Sequence, residues 1–281
     1  MKSKINRIFN KLSFCSINSV VSISGVQRLP LIFVLGCPRS GTTLTYQLLI
    51  NAFETGYISN RIAPFYGALG FAEKFFGSGA RFSPVSYKSQ HGVTEGSSGP
   101  HECGAFWYQF FPKDSHYSSL SIIDQKKINQ LKKHVTLFQK SVGQPIIFKN
   151  VVNCARLQVL QSVFPDAVFI VVRRNREATV RSILKAREHV GVNAGEWWSL
   201  RPDGYESVQA VDSRGIAEAQ FDLTYQIIDR DLKGRRLDVD YEALSENPHD
   251  ELREIEDRLR DFGIELSRRP WTSIPLQFDE R

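Results

Sequence analysis

The chain has 281 residues, 42% of them hydrophobic and 11% aromatic, enough to bury one large α/β core or two small ones, and no stretch rich in Pro, Gly or Ser divides it. Its formal net charge of +6 favours anionic partners: a nucleotide, an acidic glycan, a nucleic acid or a membrane surface. The four cysteines, Cys15, Cys37, Cys103 and Cys154, form no CxxC pair, which argues against a zinc site and a disulfide framework and fits reduced thiols in a cytoplasm.

Residues 1–28 read as a basic tail. MKSKINRIFNKLSF carries the cations, and CSINSVVSISGV is interrupted by Ser and Asn. The segment is too short and polar for a transmembrane helix and has no signal-peptide cleavage site. A solvated or loosely docked tail is expected, with weak attachment to an anionic membrane as the alternative.

Residues 29–281 read as one α/β domain, because strand and helix signals alternate as in a parallel sheet. Leu31 to Leu35 is a strand buried on both faces, ended by Gly36. A helix is predicted from Thr42 to Phe53. Residues 54 to 120 are irregular and rich in Gly, Ser, Phe and Tyr, the composition of a lid or substrate wall. A helix is expected over Asp124 to Lys140, a strand over Pro145 to Lys149 and a helix over Ala155 to Phe164. Ala167 to Val172 is the clearest strand; it ends in Arg173 and Arg174, before a helix from Glu177 to His189. After a loop with Trp197 and Trp198 come a helix from Ile216 to Leu232, a strand from Arg236 to Asp240 and a helix near Pro248, capped by Asn247.

Gly36-Cys37-Pro38-Arg39-Ser40-Gly41-Thr42-Thr43 lies between a strand and a helix, the context a phosphate-binding turn requires. Loop amides and the helix N-terminus would favour an anion there, with hydroxyls from Thr42 and Thr43. Gly36 and Gly41 have the Walker spacing, yet Thr42 stands in place of the Walker lysine, and the cation is Arg39. The clearest strand ends in arginines rather than in an Asp for Mg²⁺. The pattern prepares an anion site without an obvious metal site. A second anion element is Arg174, with Ser182 eight residues on in the next helix.

Together these elements resemble the sulfotransferases that use 3′-phosphoadenosine 5′-phosphosulfate. Pro38-Arg39-Ser40-Gly41-Thr42-Thr43 matches the family's loop for the 5′-phosphosulfate, and Arg174 and Ser182 match its 3′-phosphate pair in spacing. Phe148-Lys149-Asn150, Val163 to Ala167, and Tyr241-Glu242-Ala243-Leu244 followed by Pro248 are also similar, so the resemblance covers about residues 30 to 265. One departure is Asn175-Arg176 after the phosphate arginine, and Arg173 beside it leaves the register open by one residue; the spacing to Ser182 selects Arg174.

The resemblance implies an α/β fold with a P-loop NTPase-like central parallel sheet flanked by helices in a single domain. It implies in-line transfer of a sulfuryl group to an acceptor hydroxyl or amine, with no metal. Arg39, the loop amides, Thr42 and Thr43 would stabilise the charge that grows on the bridging oxygen. A general base is expected as well. The family's usual Glu is missing where Ser59, Asn60 and Arg61 stand, and Glu102 is the first candidate, then His101, then Glu95 and His91. Lys149 is a candidate to hold the sulfonate. Phe106, Trp107, Trp197 and Trp198 could stack on a sugar or an aromatic acceptor, or serve only as packing. The acceptor class stays open between glycan, lipid-linked sugar and small alcohol or phenol. A Mg-ATP kinase would need a carboxylate from Asp238 or Asp240, and a non-catalytic nucleotide-binding module is a further rival. Nucleic acid is not an expected partner, because no basic repeat with interleaved aromatics occurs.

Overall fold

The computed structural model describes residues 2–20, 29–77, 84–90, 93–209 and 212–278. Four apolar segments form its central sheet: β1 (Leu31–Leu35), β2 (Ile146–Lys149), β3 (Val168–Arg173) and β4 (Arg235–Asp240). They pair in the order β2-β1-β3-β4, every pair parallel. Side chains alternate between the faces of a strand. Phe33, Phe148 and Phe169 therefore enter one core layer, and Ile32, Ile147 and Ile170 enter the other. Helices cover both layers, as the uninterrupted apolar runs of β1 and β3 require. The α/β fold and parallel sheet expected from the sequence are observed.

The helices are α1 (Lys2–Val20), α2 (Thr42–Ala52), α3 (Gln125–Val142), α4 (Leu157–Val163), α5 (Arg176–His189), α6 (Ser213–Asp231), α7 (Tyr241–Glu246) and α8 (Pro248–Asp261). Four of these helices start on a side-chain cap. Asp124, Asn175, Asp212 and Asp240 each accept a hydrogen bond from an amide in the first turn of the following helix. Asn247 does not; its side chain makes no cap bond, and α8 instead begins on Pro248.

Two regions depart from expectation. The segment read as a solvated or loosely docked basic tail is helical over Lys2–Val20, as α1. Asn10 is buried and anchors it: Nδ2 donates to Pro64 O (2.9 Å), and Oδ1 accepts from Gly67 N (2.8 Å). A Cβ on Gly67 would sit 2.2 Å from the Asn10 carbonyl oxygen, so the approach depends on that glycine. The contacts that dock α1, Asn10 to Pro64 and Gly67 and Phe14 to Phe110 and His134, join residues far apart in the chain, which is why the docking was not visible in sequence. The irregular stretch also holds short helical turns, Ala63–Ala68, Leu69–Ala72 and Glu73–Gly77, and a short antiparallel pairing of Ser89–Gln90 with Val93–Thr94.

The site follows from the strand order. β1 leads to β2 on one side, and the chain then crosses to β3 on the other. The crevice beyond the C-terminal ends of β1 and β3 is the switch point, where open parallel sheets bind ligands. Both segments expected from the sequence to bind anions leave the sheet there.

Candidate active site

A cleft of about 320 Å³ opens at this switch point. The turn after β1 supplies Pro38, Arg39, Gly41, Thr42 and Thr43; the loop ahead of residue 104 supplies His101 and Glu102; and the ends of β2 and β3 supply Lys149 and Arg174. Residues from distant parts of the chain thus face one space.

The turn is held by backbone geometry. Gly41 has φ 91° and stands at the start of α2. A Cβ there would also lie 1.9 Å from Cδ2 of Tyr241, so the position excludes a side chain on two grounds. Arg39 also has a left-handed backbone, φ 69°, an uncommon conformation for a residue with a Cβ. Ser40 is fully buried and turns inward, beneath Gly36. Cys37 is also buried in the core, and desolvation pushes its thiol well above the usual range, with Cys154 adding to the effect.

Arg39 reaches across the site. Its Nε donates to Ser182 Oγ on α5 (3.0 Å), and its carbonyl oxygen accepts from Arg174 Nη1 (3.2 Å). The guanidinium of Arg174 lies 4.4 Å from the centre of the Tyr241 ring. Desolvation, then repulsion by Arg174, holds the Arg39 guanidinium below its ordinary range. The two guanidiniums are thereby held close together at the cleft, with Glu242 Oε1 4.0 Å from Arg174 Nε. Their neighbours are neutralised elsewhere. Arg173 bonds Asp229 (2.7 Å) and Asp238 (3.0 Å), and Arg176 forks onto Asp222. Of the two candidate arginines, Arg174 lines the cleft, and Arg173 is engaged on the β4 side. Asn175, the departure from the family pattern, caps α5 through Ala178 N (3.0 Å).

On the opposite wall Lys149 is 4% exposed, and its Nζ donates to Thr43 Oγ1 (3.1 Å) and to Glu102 Oε1. Asn150 steadies that loop by donating to the Glu102 carbonyl oxygen (3.3 Å). Glu102 is thus both a wall of the cleft and the counter-ion of Lys149. His101 Nδ1 accepts from Cys103 N (2.7 Å). Burial holds the imidazole below its ordinary pKa, against the opposing pull of Glu102, and favours the neutral ring. With Nδ1 engaged as an acceptor, Nε2 carries the proton, and His101 offers a donor to the cleft rather than a lone pair. Glu95 is exposed and stands outside the cleft lining, and His91 lies outside the described residues.

The aromatic residues divide. Phe106 and Trp107 are buried core, and Trp197 packs edge-on against Tyr205 at 5.5 Å between centroids. Trp198 and Ser199 line the cleft, Ser199 with φ 66°. Tyr241 was missed in the sequence as a site residue. Its place directly after a strand, in the Tyr-Glu-x-Leu segment, was the available signal. Leu44 and Gln47, one turn into α2, and Ser89 and Val93 complete the wall. Asp238, a possible metal carboxylate in the kinase reading, is bonded by Arg236 and Arg173, and Asp240 caps α7. Among the described residues no cluster of His, Cys, Asp or Glu could hold a metal ion.

Residues 30–265 match the sulfotransferase family, and the chain belongs to that family. It is similar in fold to sulfotransferase STF9 from Mycobacterium avium, at a TM-score of 0.53 and 17% identity over 95% of this chain and 70% of that one. It is likewise similar to sulfotransferase STF1 from Mycobacterium tuberculosis, at 0.53 and 19% over 94% and 77%. No curated protein sequence matches the chain.

Proposed function

We propose that the protein transfers a sulfuryl group from 3′-phosphoadenosine 5′-phosphosulfate to a hydroxyl or amine of a carbohydrate or a small alcohol or phenol. The observation that carries this is the convergence of Pro38 to Thr43 and Arg174, two anion-binding segments from different strands, on one cleft shared with Lys149 and Glu102. The residues present suit a doubly phosphorylated adenosine. The close approach at Gly41 leaves backbone amides and the start of α2 facing an anion, and the paired guanidiniums answer a second one. When bound, the co-substrate supplies an activated sulfuryl group on a phosphate leaving group.

Within that reading the loop amides, Thr42, Thr43 and Lys149 hold the phosphosulfate end. Arg174 holds the 3′-phosphate, with Arg39 and Ser182 bracing it. This shifts part of the role expected of Arg39, whose Nε is turned toward Ser182, onto Lys149, which touches Thr43. Glu102 takes the acceptor proton, and His101 Nε2–H donates to the acceptor or to a sulfonate oxygen. Leu44, Gln47, Ser89, Val93 and Trp198 form the acceptor wall. The free, buried thiols of Cys37, Cys103 and Cys154 support a reducing compartment such as the cytoplasm.

Calorimetric titration with 3′,5′-diphosphoadenosine, against ATP with Mg²⁺, tests the donor. Saturable binding of the former is expected, and preference for Mg-ATP would overturn the reading. Arg174→Ala should weaken 3′,5′-diphosphoadenosine by about 10–100-fold, the loss of a charge-assisted pair, while leaving 5′-AMP within about twofold. Equal losses for both nucleotides would remove Arg174 from the 3′-phosphate.

A further inference from the structure

We propose that α1 and the short helical turns beside it form a docking surface for an anionic lipid bilayer. A groove of about 660 Å³ runs between them, lined almost wholly by apolar atoms from Phe9, Leu12, Ile17, Phe71, Phe75 and Phe76. It lies apart from the cleft and shares none of its residues. The walls are built rather than collapsed: Phe65 stacks on Phe76 at 5.3 Å between centroids and meets Phe9 edge-on at 5.9 Å.

The side chains at the rim face water. Leu12 is 64% exposed and Phe75 is 70% exposed, with Ile8, Phe9, Phe71 and Phe76 each about half exposed. A soluble surface scatters such residues singly, and a contiguous patch of six marks a site that something apolar covers.

Charge selects the occupant. The α1 segment carries Lys2, Lys4, Arg7 and Lys11 and no acidic residue; the first carboxylate in the chain is Glu54. Helical periodicity places these features on separate stripes. Asn10 and Phe14 face the protein, buried Ile17 lies at the floor of the groove, Phe9, Leu12 and Ser16 line its open side, and Arg7 and Lys11 flank them, exposed. On the other wall Glu73 is buried and Lys74 is exposed. Exposed cations beside exposed Phe and Leu are the pattern of a helix lying in the headgroup plane. No described helix is long and apolar enough to cross a membrane. A second copy of the chain is disfavoured, because a two-fold contact would set the same cationic helix against itself.

Flotation of the full chain with phosphatidylcholine vesicles, with and without phosphatidylglycerol, tests this. Binding is expected only to the anionic vesicles and should weaken as salt rises. Leu12→Glu and Phe75→Glu should each lower the bound fraction about tenfold, and Arg7→Glu with Lys11→Glu should do the same or more. Thermal midpoints and 3′,5′-diphosphoadenosine titrations of these variants should match the parent, which separates this proposal from the donor assignment. No binding by the parent, or variants that bind like it, would overturn it. So would a parent dimer that Leu12→Glu or Phe75→Glu dissociates, which would assign the face to self-association.

Discussion

Lys149 and Glu102 share one hydrogen bond but are asked to do different things. A buried ammonium needs a counter-charge, and Glu102 supplies it. A general base needs only a carboxylate facing the acceptor. A double-mutant cycle separates the roles. Glu102→Gln keeps an oxygen for Lys149 while removing the base, and should cut transfer about 10²–10⁴-fold with 3′,5′-diphosphoadenosine affinity within about twofold. Lys149→Met should cost about 10²–10³ in rate through the lost donor. If Glu102 serves only as the partner of Lys149, adding Glu102→Gln to Lys149→Met will cost nothing more, and the base lies elsewhere. Residue types alone marked Glu102 and Lys149 as candidates but could not pair them, since 47 residues separate them in sequence. Tyr241 escaped for the same reason: its role is set by the Gly41 and Arg174 it touches in space.

The turn from β1 to α2 shows how one element fixes a site. Gly41 combines a left-handed φ with a ring of Tyr241 occupying the space of a Cβ. Gly41→Ala should therefore displace either the turn or Tyr241. About 2–4 kcal/mol of stability should be lost, from backbone strain and overpacking together. Nucleotide binding should fall with it. An unchanged midpoint in a denaturant titration would mean that the turn has another conformation. Elements of this kind were legible because β1 and β3 read as buried apolar runs, each followed by a helix signal, a pattern local to each segment. Residues 54 to 120 were not legible, because their short turns are held by tertiary bonds. Asn60 Nδ2, for example, donates to Thr94 O and Gly96 O, each at 2.7 Å. α1 hid for a related reason: its contacts, Asn10 with Gly67 and Phe14 with His134, are matched in space and not in sequence.

Across the whole molecule, buried histidines couple stability to pH. His134 on α3 stacks on Phe14 of α1 at 4.6 Å and meets Phe110 edge-on. Its Nε2 has no hydrogen-bond partner among the described residues. Burial, then Lys133, brings it from 6.5 down to about 4. His116 is brought to about 4 as well, by burial, Arg156 and Arg201. In both cases the unfolded chain takes up its proton first as pH falls. The stability these neutral rings contribute is fully present above about pH 6.5 and is lost progressively toward pH 4. For His134 alone the loss between pH 7 and pH 5 is about 1–2 kcal/mol. The loss falls where α1 docks, so acid should loosen α1 from α3 before the sheet unfolds. His134→Phe keeps the ring contacts and removes the titration. Its thermal midpoint should fall less steeply than the parent's from pH 7 to pH 5, and amide exchange in α1 should lose part of its acid sensitivity. Parallel pH profiles for the two proteins would show that His134 is open to water in the folded chain, and that α1 is held by Asn10 without it.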